Sequence, residues 1–169
     1  SQAVRRALRD KLEELGETIS PVATASEDKG AAKTQLDPVK YIDDDLFGFM
    51  DAAKGKDAEK GKATVRTSPV RVESLLAGVY RGTILIELDR VGAGEGFEKA
   101  GTLSATERAR RVIALLDAFQ TMWSSGRQSR FLADISPKFM AAACMRSKNP
   151  IFLEAVKTDR TGQVDVAAL

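Results

Sequence analysis

An α+β fold is what this sequence predicts, and three observations predict it. Residues 79–91 (VYRGTILIELDRV) alternate with period two and are rich in β-branched residues, the pattern of a strand with one buried and one wetter face. Two segments carry apolar residues at helical spacing: Val4, Leu8, Leu12 and Leu15, then Val112, Leu115, Leu116, Phe119, Met122 and Trp123. The order along the chain is helix, long polar stretch, strand, strand, helix, strand. Each helix has a single apolar stripe, so both need a sheet face to pack on.

Composition narrows the function classes. The chain has 169 residues, 43% hydrophobic and 30% charged, with a net charge of +2. That suits one domain with a real core, and contact with nucleic acid must come from clustered rather than overall charge. There is no histidine, which excludes histidine-based triads, histidine-bearing zinc sites and histidine pH switches. The single cysteine, Cys144, excludes an internal disulfide and suits a reducing, cytoplasmic setting. No run is long enough to span a bilayer, so no membrane partner is expected. The chain starts at Ser1 within a helical pattern and ends just as another begins, which reads as a piece of a longer protein.

Residues 1–15 form the first predicted helix, with Gly16 as its C-cap. Gln2, Arg5, Arg6 and Arg9 cluster away from its apolar stripe, near the positive end of the helix, where exposed amides and guanidiniums suit an anion. The alternative is an ordinary wet face balanced by Asp10, Glu13 and Glu14. Residues 17–63 are polar and low in complexity apart from the island Tyr41–Met50. There Asp44 or Asp45 is expected to cap a short helix carrying Leu46, Phe47, Phe49 and Met50. A metal loop is disfavoured, since Lys54 stands where a calcium loop needs glutamate.

Residues 64–74 (TVRTSPVRVES) alternate again, and Pro69 marks an edge or a bulge. This strand is placed to pair as a hairpin with residues 79–91, expected to be the central strand. The segment 92–96 (GAGEG) lacks the spacing of a dinucleotide or P-loop motif and reads as a flexible turn. Ser104-Ala105-Thr106-Glu107 is a capping box opening the second helix. A Ser/Gly loop follows, whose Gly126, Arg127, Gln128 and Arg130 suit phosphate contacts or merely connect helix to strand. Residues 135–145 read as an apolar strand enclosing Cys144, and 151–156 as a segment packed on the core. The predicted core is Val4, Leu8, Leu12, Ile84, Ile86, Leu88, Val112, Leu116, Phe119 and Trp123.

With one strand ahead of Ser1 the order becomes βαββαβ, a ferredoxin-like or RNA-recognition-motif core. Residues 1–16 and 64–169 would form that core, and 17–63 a polar, partly helical, finger-like insertion. The aromatic residues that stack bases on such sheets are missing; Tyr80-Arg81-Gly82-Thr83 stands in their place. Nucleic-acid contacts would then come from helix ends and loops.

Five stretches, in order, resemble the CRISPR-associated DevR family, the backbone subunits of type I Cascade complexes. They are Ser1–Arg9 (SQAVRRALR), Asp43–Met50 (DDDLFGFM), Arg66–Val70 (RTSPV), Tyr80-Arg81-Gly82 running to Leu88–Gly92, and Ser125–Leu132 (SGRQSRFL). The resemblance implies a non-enzymatic subunit of antiviral defence, with no cofactor and no metal. Such a subunit polymerises along a CRISPR guide RNA (crRNA), beside copies of itself and other Cascade subunits. It grips the RNA backbone without reading sequence and leaves the bases to pair with target DNA. Ser1, Gln2, Arg5, Arg6, Arg9, Gly126, Arg127, Gln128 and Arg130 would carry the RNA contacts. Two other readings stay open. One is a metal-dependent ribonuclease using an aspartate of the Asp43–Asp45 run; the other is an autoregulatory nucleic-acid-binding protein.

Overall fold

Leu8 and Leu12, four residues apart, face inward from helix α1 (Gln2–Glu14), and both are fully buried. The helix ends as its sequence requires. Glu17 N–H bonds the Leu12 carbonyl at 3.0 Å and Gly16 N–H that of Glu13 at 2.9 Å, the crossed pair of a Schellman cap. The computed structural model describes residues 2–22, 34–51, 64–75, 81–122, 136–152, 155–159 and 161–168.

Helix α2 (Ile42–Phe47) follows, and all six of its residues are buried. Strand β1 (Phe49–Asp51) pairs antiparallel with β2 (Thr64–Arg66). Strand β3 (Val70–Leu75) pairs antiparallel with β4 (Arg81–Ile86), in a register that sets Val70 opposite Ile86 and Val72 opposite Ile84. The expected hairpin is therefore present. The long helix α3 (Ala105–Gln120) packs against α1. Ser104 caps it, accepting the Glu107 N–H at 3.2 Å as the capping box predicts. The Glu107 carboxylate turns instead to Arg110 and Arg111. A 3-10 turn (Val166–Ala168) closes the described chain where a capped helix was expected to begin.

The core is one cluster. Ala7, Leu8 and Leu12 of α1 meet Ile42, Leu46 and Phe47 of α2, Val70, Val91, and Ala114, Leu115, Ala118 and Met122 of α3. Val4, Ile19, Ile84, Ile86, Val112 and Phe119 line its rim. Since α2 supplies three of these residues, this part of the 17–63 stretch packs within the main body.

Several expectations give way. The architecture is mixed α and β, with two separate two-stranded antiparallel sheets among the described residues rather than one continuous sheet around a central strand. The stretch 64–74 is not one strand. It breaks at Pro69, which donates no ladder bond, and its halves join different sheets. β4 stops at Ile86: the Glu87 N–H still bonds the opposite Pro69 carbonyl at 2.9 Å, but Pro69 has no N–H to return, and the Glu87 carbonyl accepts from Arg90 and Val91 as residues 87–91 coil into a turn. Leu88 is consequently 44% exposed and outside the core. Phe49 and Met50 lie in β1, not in the helix.

In α3 the buried line runs through Arg111, Ala114, Leu115 and Ala118, and Leu116 sits half-buried beside it. Residues 136–150 hold no regular strand, and Cys144 is exposed. Alanine-rich chain has weak strand preference and finds no ladder here. Ile151 is exposed at 46% rather than packed on the core. Tyr80 and Trp123 lie outside the described residues.

Candidate nucleic-acid interface

The first turn of α1 carries no acidic side chain, so its amide end is electropositive. Of the predicted contacts, Arg6 is exposed while Arg5 and Arg9 are half-buried one turn apart. None of the three donates a hydrogen bond to a described residue, and the Nε atoms of Arg5 and Arg9 are buried without such a partner. Arg9 is nevertheless not isolated, for its Nε lies 2.9 Å from Asp43 Oδ2. Gln2 opens the helix. Ser1, Gly126, Arg127, Gln128 and Arg130 lie outside the described residues.

Behind this face sits a set of charges that reading the sequence missed. Successive residues of a helix point about 100° apart, so three consecutive buried aspartates require a helix enclosed on most sides. Asp43, Asp44 and Asp45 are each fully buried, and each holds a different segment. Asp43 Oδ1 accepts the Ser20 N–H at 2.8 Å, and Asp44 Oδ2 the Asp37 N–H at 3.0 Å. Asp45 stands between two arginines. Arg66 Nη2 bonds its Oδ1, Arg111 Nη1 reaches Oδ2 at 2.7 Å, and the Gly92 N–H reaches both oxygens at 3.0 and 3.1 Å. Neither Asp44 nor Asp45 acts as the expected cap, since Tyr41 occupies that position without a side-chain bond.

Arg66 spends its remaining donors on backbone. It reaches the carbonyls of Asp45 (3.0 Å), Arg90 (2.8 Å), Ala93 (2.9 Å) and Glu95 (2.6 Å), with its guanidinium 4.9 Å over the Phe97 ring. Arg111 likewise ties the carbonyls of Pro38 (2.8 Å) and Val39 (2.7 Å). The segment 92–96 is therefore pinned, not free. Glycine is needed at 92 because a Cβ there would come within 2.9 Å of Arg108 Cγ. At Gly48 a Cβ would collide with the Arg66 carbonyl, so Gly48 lets α2 turn into β1 beside the same arginine.

The electrostatics follow from burial. Burial pushes the Asp43 carboxyl up, opposed by the Ser20 N–H and Arg9, while neighbouring Asp44 adds to the rise. Burial also lowers Arg66, against the pull of Asp45. Arg110 draws Glu107 down to about 2 despite some desolvation, with Arg111 assisting. Glu87, nearly buried, is held low first by its hydrogen bond from Arg90, with Lys148 and Arg71 nearby.

Such carboxylates are anchors. Among the described residues no group of three or more acidic or cysteine side chains is placed to hold a metal ion. A polar hollow of about 140 Å³ lies between α3 and residues 17–18 and 39–42, lined by Glu17, Lys40, Glu107 and Arg110 among others, with Arg110 paired across it to Glu17. Among the described residues no helix is long and apolar enough to cross a membrane.

Fold and site thus define an α+β protein with a buried aspartate–arginine centre and a basic helix start at its surface. No family model matches the chain, and no solved structure matches it. A CRISPR-associated protein Cas7/Cst2/DevR from Myxococcus xanthus (strain DK1622) is 28% identical over 201 aligned residues, covering 100% of this chain and 67% of that protein. Along its whole length the chain is thus similar to a CRISPR-associated Cas7/Cst2/DevR protein.

Proposed function

We propose that this chain is a guide-RNA-binding backbone subunit of a type I CRISPR surveillance complex. It assembles with copies of itself and with other Cascade subunits in the cytoplasm, and the guide it carries pairs with target DNA. The observation that carries this reading is the likeness to a Cas7/Cst2/DevR protein along the whole chain. The start of α1 supports it, with three arginines that donate no hydrogen bond to described residues beside an electropositive helix end. In the same reading residues 1–16 and 64–169 belong to a ferredoxin-like core and 17–63 to the finger-like insertion, α2 being where the two meet.

The subunit is read as non-enzymatic. A carboxylate that cuts RNA must reach a scissile phosphate, directly or through a metal. Asp43, Asp44 and Asp45 are fully buried and bonded to backbone amides or arginines, which supports structural duty for all three. The test is the ratio of absorbance at 260 and 280 nm of the purified full-length protein, followed by incubation with labelled RNA and Mg²⁺ or Mn²⁺. A raised ratio that ribonuclease treatment lowers, with the labelled RNA left intact, is expected. Protein free of RNA that degrades the label only with metal would establish the ribonuclease reading instead.

A further inference from the structure

An arginine can offer phosphate two edges: the side formed by Nε with one terminal nitrogen, or the end formed by both terminal nitrogens. Free in solution, its long side chain samples many rotamers, and binding must freeze them. Arg9 is partly frozen already. Its Nε is buried against Asp43 Oδ2 at 2.9 Å, while the side chain as a whole keeps 29% of its exposure. The two terminal nitrogens donate to no described residue. Asp43 is itself fully buried in α2, and its other oxygen accepts the Ser20 N–H at 2.8 Å. The Nε and Oδ2 atoms meet off the hydrogen-bond axis, so charge attraction holds the pair.

We infer that Asp43 is a positioning residue, tethering Arg9 through Nε so that its terminal fork faces an RNA phosphate. This rests on the reading of Arg9 as an RNA contact and adds to it a reason for a buried carboxylate behind a basic face. Charge alone argues the opposite, since an aspartate near an RNA site repels phosphate. The two accounts therefore differ in sign. Removing the Asp43 charge tightens binding if charge is all that matters, and loosens it if position matters more.

The experiment measures single-stranded RNA affinity for full-length protein bearing Arg9→Gln, Asp43→Asn, both together, and Asp44→Asn, an equally buried neighbour bonded, among the described residues, to the Asp37 amide alone. Arg9→Gln is expected to weaken binding. Asp43→Asn is expected to weaken it roughly 3- to 10-fold despite the more positive charge, and to add nothing once Arg9 is glutamine. Asp44→Asn is expected to leave it unchanged, a contrast that general loosening of α2 would not produce. If Arg9→Gln weakens binding while Asp43→Asn tightens it or leaves it alone, the tether is refuted and the RNA reading stands. If Arg9→Gln has no effect, the RNA reading fails at this residue and the tether with it. Should Asp43→Asn not fold, Arg9→Lys keeps the charge but has no Nε. It is expected to weaken binding by a similar factor, and parental affinity would overturn the inference.

Discussion

Replacing Arg66 by methionine tests whether the buried charge centre holds the molecule together. Methionine preserves most of the length and removes five hydrogen bonds: two to Asp45 and one each to the carbonyls of Arg90, Ala93 and Glu95. Breaking one side of a buried ion pair costs about 3–5 kcal/mol, chiefly because a desolvated charge loses its partner. Asp45 keeps Arg111 and the Gly92 amide, which places the expected loss toward the lower end, about 3–4 kcal/mol. That is a large share of the roughly 5–15 kcal/mol that holds a typical domain. Urea unfolding followed by far-ultraviolet circular dichroism measures it, provided the transition is cooperative and its slope matches the parent. Arg110→Met is the control. Arg110 pairs with Glu17 and Glu107 but its side chain is 48% exposed, and its loss should cost no more than about 1 kcal/mol. A cost below about 1 kcal/mol for Arg66→Met, or equal costs for the two variants, would refute the reasoning.

Three further outcomes are expected. Leu115→Ala should cost roughly 2–5 kcal/mol in the same unfolding assay and Leu116→Ala clearly less, since Leu115 is in the buried cluster and Leu116 beside it; the reverse order would mean α3 is turned. Glu107, held at about 2 against an ordinary 4.5, adds stability that is fully present above pH 4.5 and lost as pH falls toward 2. Glu107→Gln should therefore flatten the acid limb of stability against pH, by an amount on the order of 1 kcal/mol after solvent screening, whereas an unchanged limb would contradict the Arg110 pairing. Cys144, being exposed, should react with a thiol reagent in the native protein as fast as in the unfolded one, and protection until unfolding would show that it is covered.

The elements legible in the sequence were those with local causes. The stripe of α1 with its Gly16 cap and the capping box of α3 follow from neighbours within a few residues, and the pairing of residues 70–75 with 81–86 from partners no more than 16 apart. The misjudged features have distant causes. Alternation carries Leu88 to the core face on paper, but the strand ends first, because Pro69 opposite Glu87 has no N–H to donate and the Glu87 carbonyl is taken by the turn. Asp43 and Asp45 looked like part of a helix start because their partners lie about 20 to 70 residues away, at Ser20, Arg66, Gly92 and Arg111. One signal was there to read. Arg111 sits on the apolar stripe of α3, four residues before Leu115, and an arginine on a buried stripe calls for a buried acid. Of the site, Arg6 is exposed and Arg5 and Arg9 are half-buried, and the tie from Arg9 to Asp43 was not anticipated.

The central claim is that this protein holds RNA by its phosphates through the start of α1, and a salt titration of RNA binding tests it most directly. Two single-stranded RNAs of unrelated sequence are bound to the full-length protein over a range of salt, for the parent and for Arg5→Gln/Arg9→Gln. Equal affinities for the two RNAs and a steep loss of binding with salt are expected. In the double variant the slope should be shallower by about 1 to 2 and both RNAs weakened alike. Strong preference for one sequence, or a double variant that matches the parent in affinity and slope, would contradict it.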